Sequence, residues 1–176
     1  YRISDIVLGV MANVFYNDMG FTKDEVAFAA KTFGVLMTMV GTAIGGVLVF
    51  RLGVLRVLFW GEVMVVGTNL MFAYLATQGN DFTLLLLVVG LDNLSAGIAT
   101  AAFIAYLSSL TNVSYSATQY ALFSSMMLLF PKFIGGFSGV MVESFGYETF
   151  FTLAAAMGLP VLVLIFLAKR FVASTE

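Results

Sequence analysis

Long apolar runs separated by short polar breaks dominate the chain. Measured against the roughly 20 residues that a helix needs to cross a bilayer, they predict six transmembrane helices, approximately Ile3–Asn17, Val26–Phe50, Val54–Ala76, Phe82–Leu110, Ser116–Val142 and Thr149–Ala168. The breaks carry turn and cap chemistry. Thr22-Lys23-Asp24-Glu25 has the spacing of a capping box opening a helix after Gly20. Arg51-Leu52-Gly53 and Gln78-Gly79-Asn80-Asp81 end the second and third runs with residues that have no place in hydrocarbon. Pro131 and Pro160 fall inside apolar runs and read as kinks, since neighbouring helices can satisfy the freed carbonyls.

Composition supports an all-α integral membrane protein. Of 176 residues, 61% are hydrophobic and 10% charged, with a mean hydropathy of +1.02, too little polarity to cover a soluble surface. A net charge of -2 with scattered carriers gives no nucleic-acid surface. There is no cysteine and no histidine, so no thiolate or imidazole metal site is expected, and no cofactor. With no Ser-base pair or phosphate-cradling loop either, an enzyme is not expected. The first span is a poor signal peptide, because Asp5, Asn13, Asn17 and Asp18 interrupt it, and a start at Tyr1 suggests a fragment. With both termini in the cytoplasm, Arg2, Arg51, Arg56, Lys169 and Arg170 fall inside and Lys23 outside, as the positive-inside rule requires. Tyr74, Tyr115 and Tyr147 then lie near span ends, where amphipathic rings concentrate.

An internal repeat suggests the architecture. Gly46-Val47-Leu48-Val49-Phe50-Arg51-Leu52-Gly53 aligns without gaps on Gly139-Val140-Met141-Val142-Glu143-Ser144-Phe145-Gly146, matching at the glycines and valines. The copies end the second and fifth spans, on opposite membrane faces, which is the pattern of a three-plus-three inverted repeat. Gly41-x-x-x-Gly45 and Gly135-x-x-x-Gly139 allow close helix contact beside them. With Arg56 added, the first copy looks like a degenerate cytoplasmic loop signature of the major facilitator superfamily, marking Gly46, Arg51, Gly53 and Arg56 as a gating loop. Phe50 stands where that signature has its aspartate, and Leu55 occupies a usual basic position.

Intramembrane polar residues are the candidate chemistry. A charge at bilayer depth costs roughly 2.5 to 3.5 kcal/mol on insertion scales, so such residues face the bundle interior and pair or line water. Asp92 is the deepest, about ten residues into the fourth span. Asp92, Ala96, Ala99 and Phe103 share one helical stripe, flanked by Asn93, Gly97 and Thr100, a small and polar face that suits a cavity wall or plain helix packing. Lys31 and Lys132 are candidate counter-charges: desolvation favours the neutral forms of both residue types and pairing restores the charges, so one proton would make or break an Asp92–Lys31 or Asp92–Lys132 pair. Snorkelling is the alternative for Lys31. Asp5 and Glu62 are further proton-coupling candidates, although Glu62 also sits near enough to Arg51 and Arg56 to anchor that loop.

A family resemblance runs along nearly the whole chain. Tyr1-Arg2-x-x-Asp5, Lys31-Thr32-x-Gly34, Gly45-Gly46-x4-Arg51-Leu52, Asp92-Asn93-x3-Gly97-x2-Thr100-Ala101-Ala102-Phe103 and Asn112-x-Ser114-x-Ser116-Ala117-Thr118-Gln119-x-Ala121-Leu122 resemble the second half of the AmpG-type muropeptide permeases. The Thr-Ala-Ala-Phe and Ser-Ala-Thr-Gln elements are the specific part. The Phe137-Ser138 region departs from the family, lacking an arginine and proline common there. The resemblance implies a carboxy-terminal six-helix half, residues 1–176, of a twelve-helix transporter whose amino-terminal half is absent. It also implies proton-driven import of anhydro-muropeptides, sugar–peptide fragments of peptidoglycan, across the bacterial inner membrane. The partners are then the sugar–peptide, the proton, the lipid bilayer and the missing half, with substrate held between halves and alternating access by rocking about the two loop motifs. A carrier of another anionic substrate such as acetyl-CoA, or a non-transporting half-length scaffold, remains the alternative. Ser114 or Ser116 with Gln119 reads as a cap on the fifth helix.

Overall fold

Within hydrocarbon every backbone N–H and C=O must be satisfied inside the chain, and apolar runs of this length meet that demand as helices. The computed structural model describes residues 1–110 and 116–173, and all regular structure among them is helical. The helices are α1 (Ile3–Asp18), α2 (Lys23–Leu52), α3 (Val54–Gln78), α4 (Phe82–Leu110), α5 (Ser116–Gly135) and α6 (Ser138–Ala173). Among the described residues four stretches are long and apolar enough to cross a membrane: Lys23–Leu52, Val54–Gln78, Phe82–Leu110 and Ser138–Arg170. α1 has 16 residues and α5 has 20, and neither combines the length and apolarity of those four.

Local chemistry sets the helix ends. Thr22 caps α2 as its spacing predicts: the Glu25 N–H donates to the Thr22 hydroxyl oxygen at 3.3 Å and the Thr22 N–H donates to the Glu25 carboxylate at 2.8 Å. α2 then passes through a π-helical segment, Ala27–Phe33, that carries Lys31. Gly53, between α2 and α3, has φ 84° and ψ 154°, and Gly146 interrupts α6 with φ 77° and ψ 168°, both open only to glycine at low cost. The helix continues through Pro131 and Pro160, and the fifth apolar run breaks instead at Gly136-Phe137, where the Gly136 N–H donates to Lys132 and Phe133 carbonyls. Tandem glycines leave a helix at less expense than an apolar, β-branched run, so the interruption falls there. Of the expected cap, Ser114 lies outside the described residues, as does Tyr115, and Ser116 is the first residue of α5.

Packing is layered around α3 and α4. α4 packs on α2 and on α3; α3 packs on α6; α1 bridges α3, α5 and α6. The α2–α4 crossing is made by missing side chains. A Cβ on Gly41 would stand 2.2 Å from the Leu94 carbonyl oxygen, one on Gly45 would stand 2.9 Å from the Ile98 Cα, and one on Gly97 would stand 2.5 Å from the Thr38 carbonyl oxygen. The Gly41–Gly45 motif therefore works as expected. In the second motif Gly135 meets Val10 of α1, whereas Gly139 faces open space.

Two apolar clusters fill the bundle. One gathers Phe15, Phe72, Phe150 and Phe151, with Phe15 and Phe151 edge to face at 4.9 Å. The other gathers Val57, Leu58, Ile98, Phe103, Val161 and Ile165. At one end of the bundle the Asn80 amide donates to the Gly20 carbonyl at 2.7 Å, and the Tyr147 hydroxyl donates to Asp18 at 2.5 Å. At the other end Tyr1, Leu55, Tyr106 and Ala168 line one hollow, and Arg56 and Lys169 line another.

Candidate functional site

The polar interior lies on α3 and α4, facing α1, α2 and α6. Thr68 and Asn69 are adjacent buried polar residues within the apolar run of α3. The Thr68 hydroxyl lies 3.0 Å from Asp92 Oδ1 on α4 and 3.0 Å from the Val65 carbonyl oxygen of its own helix. It carries one hydrogen, so it can donate to only one of these at a time. With Asp92 ionised, Thr68 donates to the carboxylate. With Asp92 protonated, the acid O–H can donate to Thr68, which then donates to Val65. The pair thus has a satisfied arrangement in either protonation state.

Glu62 and Asn69 form a second polar group one layer away. Asn69 donates its amide to the Ser4 hydroxyl of α1 at 2.8 Å, while its carbonyl oxygen has no hydrogen-bond partner. Glu62 is 1% exposed and its Oε1 likewise lacks a partner. Gly158 of α6 makes room for Glu62 and Ser4: a Cβ there would stand 3.0 Å from Glu62 Oε1 and 3.7 Å from Ser4 Oγ. Two buried acceptors without donors are expensive in stability, about 1 to 3 kcal/mol for each such group.

The sequence-derived candidates separate in the fold. Asn93 turns to α2, accepting from the Thr38 hydroxyl at 2.9 Å and donating to the Val89 carbonyl at 2.8 Å. Gly97 forms the close helix crossing, so of the two roles its stripe allowed, packing is the one these two residues perform. Ala96 and Thr100 are half-buried. Phe103 is buried and stacks on Tyr1, with ring centroids 4.9 Å apart, and the two rings line a cavity of about 660 Å³ shared with Phe123, Met126, Phe130 and Pro131. That cavity is apolar and Asp92, Asn93, Ala96, Gly97 and Thr100 do not line it.

The charge pairs require correction. Asp92 meets Thr68, not Lys31 or Lys132, and among the described residues the ion pair present is Arg2–Asp5 at 2.6 Å. Lys31 is on the exposed face of the π-helical segment, lining a hollow with Asn13, Asn17 and Lys23, and Lys132 is exposed on α5. Asp5 is engaged by Arg2 at the start of α1. Glu62 makes no ion pair with Arg51 or Arg56, so it does not anchor their loop, because its side chain is held inside the bundle. Arg51, Gly53 and Arg56 are exposed, as is Gly46, and Phe50, 91% exposed, supplies no carboxylate for a latch. Sequence patterning does not single out Ser4, Thr38, Thr68 or Asn69. The adjacent polar pair Thr68-Asn69 in an otherwise apolar run is the available signal.

Comparison with known proteins gives the family. The profile of the Major Facilitator Superfamily matches residues 2–175. The "Putative transporter AmpG 4" of Rickettsia conorii is 33% identical over 165 residues, 94% of this chain and 40% of the relative. The "Anhydromuropeptide permease" of Escherichia coli K12 is 30% identical over 171 residues, 97% of this chain and 35% of the relative. The chain therefore spans well under half the length of these curated relatives, and the resemblance read from its motifs is borne out.

Proposed function

Because this multi-pass membrane chain belongs to the Major Facilitator Superfamily, we propose that it is the carboxy-terminal six-helix half of a proton-driven transporter importing anhydro-muropeptides across the bacterial inner membrane. The observation that carries the coupling part is the Asp92–Thr68 contact, an acid inside an apolar bundle whose partner accommodates either protonation state. Buried Glu62, with an unpartnered oxygen, is the second proton site of this reading. The substrate part rests on the name of the Escherichia coli relative.

The end-to-end arrangement supports a six-crossing topology. Asp18, Asn80 and Tyr147, from alternate connections, meet at one end. Tyr1, Arg56, Tyr106 and Lys169 meet at the other, as an even number of crossings between Tyr1 and Lys169 requires. Arg2, Arg51, Arg56, Lys169 and Arg170 belong to this second end, which we assign to the cytoplasm. Gly53 and Gly146, the matched last residues of the two repeat copies, have closely similar backbone angles, and matched Gly46 and Gly139 both face open space, which supports the inverted repeat. A scaffold that only stabilises a partner has no use for two unpartnered buried acceptors, so transport is the better reading.

The test is Asp92→Asn in the full-length protein, in inner-membrane vesicles given labelled anhydro-muropeptide and an imposed pH gradient. The expected result is normal insertion with gradient-driven accumulation lost. Unchanged accumulation sinks the coupling role of Asp92. No accumulation of anhydro-muropeptide by the wild type, with gradient-driven accumulation of labelled acetyl-CoA, sinks the substrate.

A further inference from the structure

The geometry points to a binding site for the head group of an anionic phospholipid between α3 and α6, at the end of the bundle that carries Arg56 and Lys169. Two cations from helices far apart in sequence, Arg56 near the start of α3 and Lys169 near the end of α6, line one cavity of about 220 Å³. The remaining lining is Phe59, Trp60, Ile165 and Phe166, and it contains no carboxylate. Neither cation forms an ion pair among the described residues. Like charges converging on a shared hollow repel, and the repulsion is relieved when an anion enters between them. The guanidinium offers two parallel N–H donors and the ammonium a point charge, together suited to a phosphate.

The aromatic floor decides between a free anion and a lipid. Trp60 is 62% exposed and Phe166 59% exposed, and Phe59 braces Trp60 edge to face at 5.7 Å. Trp60 and Phe166 lie exposed beside the cations on two of the helices long and apolar enough to cross a membrane. A soluble phosphate leaves them uncovered, whereas a phospholipid places its phosphate on Arg56 and Lys169 and lays its acyl chains along Trp60 and Phe166. The positive-inside bias by itself asks only for basic residues at this end. It does not require two of them to share a hollow floored by tryptophan. The site is separate from Asp92 and Glu62, and it stands whatever the transporter carries.

The experiment is native mass spectrometry of the purified full-length protein titrated with phosphatidylglycerol, phosphatidylcholine and inorganic phosphate. Wild type is expected to retain phosphatidylglycerol in preference to phosphatidylcholine. Arg56→Gln with Lys169→Gln is expected to weaken phosphatidylglycerol binding roughly thirtyfold, from about fivefold for each charge near a membrane surface. The charge-preserving pair R56K and K169R is expected to keep most of it, and Lys23→Gln at the opposite end all of it. An unchanged elution profile and unfolding temperature show that the glutamine variant is folded; if it is not, loss of binding in R56Q alone, with K23Q unaffected, supports the proposal equally. Equal binding of phosphatidylcholine, displacement by inorganic phosphate at comparable concentration, or undiminished phosphatidylglycerol binding without the two charges overturns the proposal.

Discussion

At the scale of single residues, the Thr68 hydroxyl is the hinge of the proton reading, because its one hydrogen is shared between Asp92 Oδ1 and the Val65 carbonyl. Thr68→Val keeps the shape and removes the hydroxyl, leaving Asp92 without its partner. Gradient-driven uptake should then fall about as far as in Asp92→Asn, while Thr68→Ser stays near wild type; a pH profile of uptake for the three variants reads this directly. Glycines divide as sharply. A methyl on Gly97 lands 2.5 Å from a backbone oxygen and 2.8 Å from a backbone nitrogen, neither of which can swing aside. Gly97→Ala should destabilise by about 1 to 3 kcal/mol, lowering the unfolding temperature in detergent by several degrees. Gly46→Ala, which meets nothing within 4 Å, should leave it unchanged or slightly raised through better helix propensity.

At the scale of elements, the connections depend on glycine conformation. Gly53 at φ 84° and ψ 154° and Gly146 at φ 77° and ψ 168° occupy a region that side chains strain to enter. Gly53→Ala and Gly146→Ala should each cost about 1 to 3 kcal/mol, visible as a matched drop in unfolding temperature. Unequal losses would count against structural equivalence of the two repeat copies. α2 is held differently, by its Thr22 cap at one end and by the glycine crossing on α4 along its length. The π-helical segment between them leaves Lys31 on the exposed side, which removes it from reach of Asp92.

At the scale of the whole molecule, the contacts at the two ends say which residues share an end of the bundle, and the proposed sidedness can be tested there. The 176 residues contain no cysteine, so single cysteines report against a clean background from this chain. With Lys23→Cys or Asn80→Cys, a membrane-impermeant maleimide added to intact cells whose outer membrane is permeabilised should label the protein. With Arg56→Cys or Lys169→Cys it should label only after lysis. Labelling of Arg56→Cys in intact cells would reverse the topology. The same division places the acidic Asp18, Asp24, Glu25 and Asp81 near the Gly20–Asn80 end, away from the Arg56–Lys169 hollow.

Periodicity, breaks and composition were enough for the helical class, the membrane environment and the Thr22 cap, because each follows from local chemistry: a helix satisfies its own backbone, and an apolar run of sufficient length has one suitable solvent. The family came instead from the resemblance of particular motifs. The place of Asp92 within a long apolar helix was legible from local chemistry as well. Its partner was not. A helix presents several residues per turn to different neighbours, and one sequence position specifies an angle without saying which helix stands there. Tertiary packing alone turned Asn93 and Gly97 toward α2, set Thr68 rather than either lysine against Asp92, and enclosed Glu62 beside Ser4 and Gly158. The sequence by itself determined which apolar helix carries each polar group; only the arrangement of helices decided what it faces, since a hydrogen bond reaches about 3 Å and the chain separation between its ends says nothing about that distance.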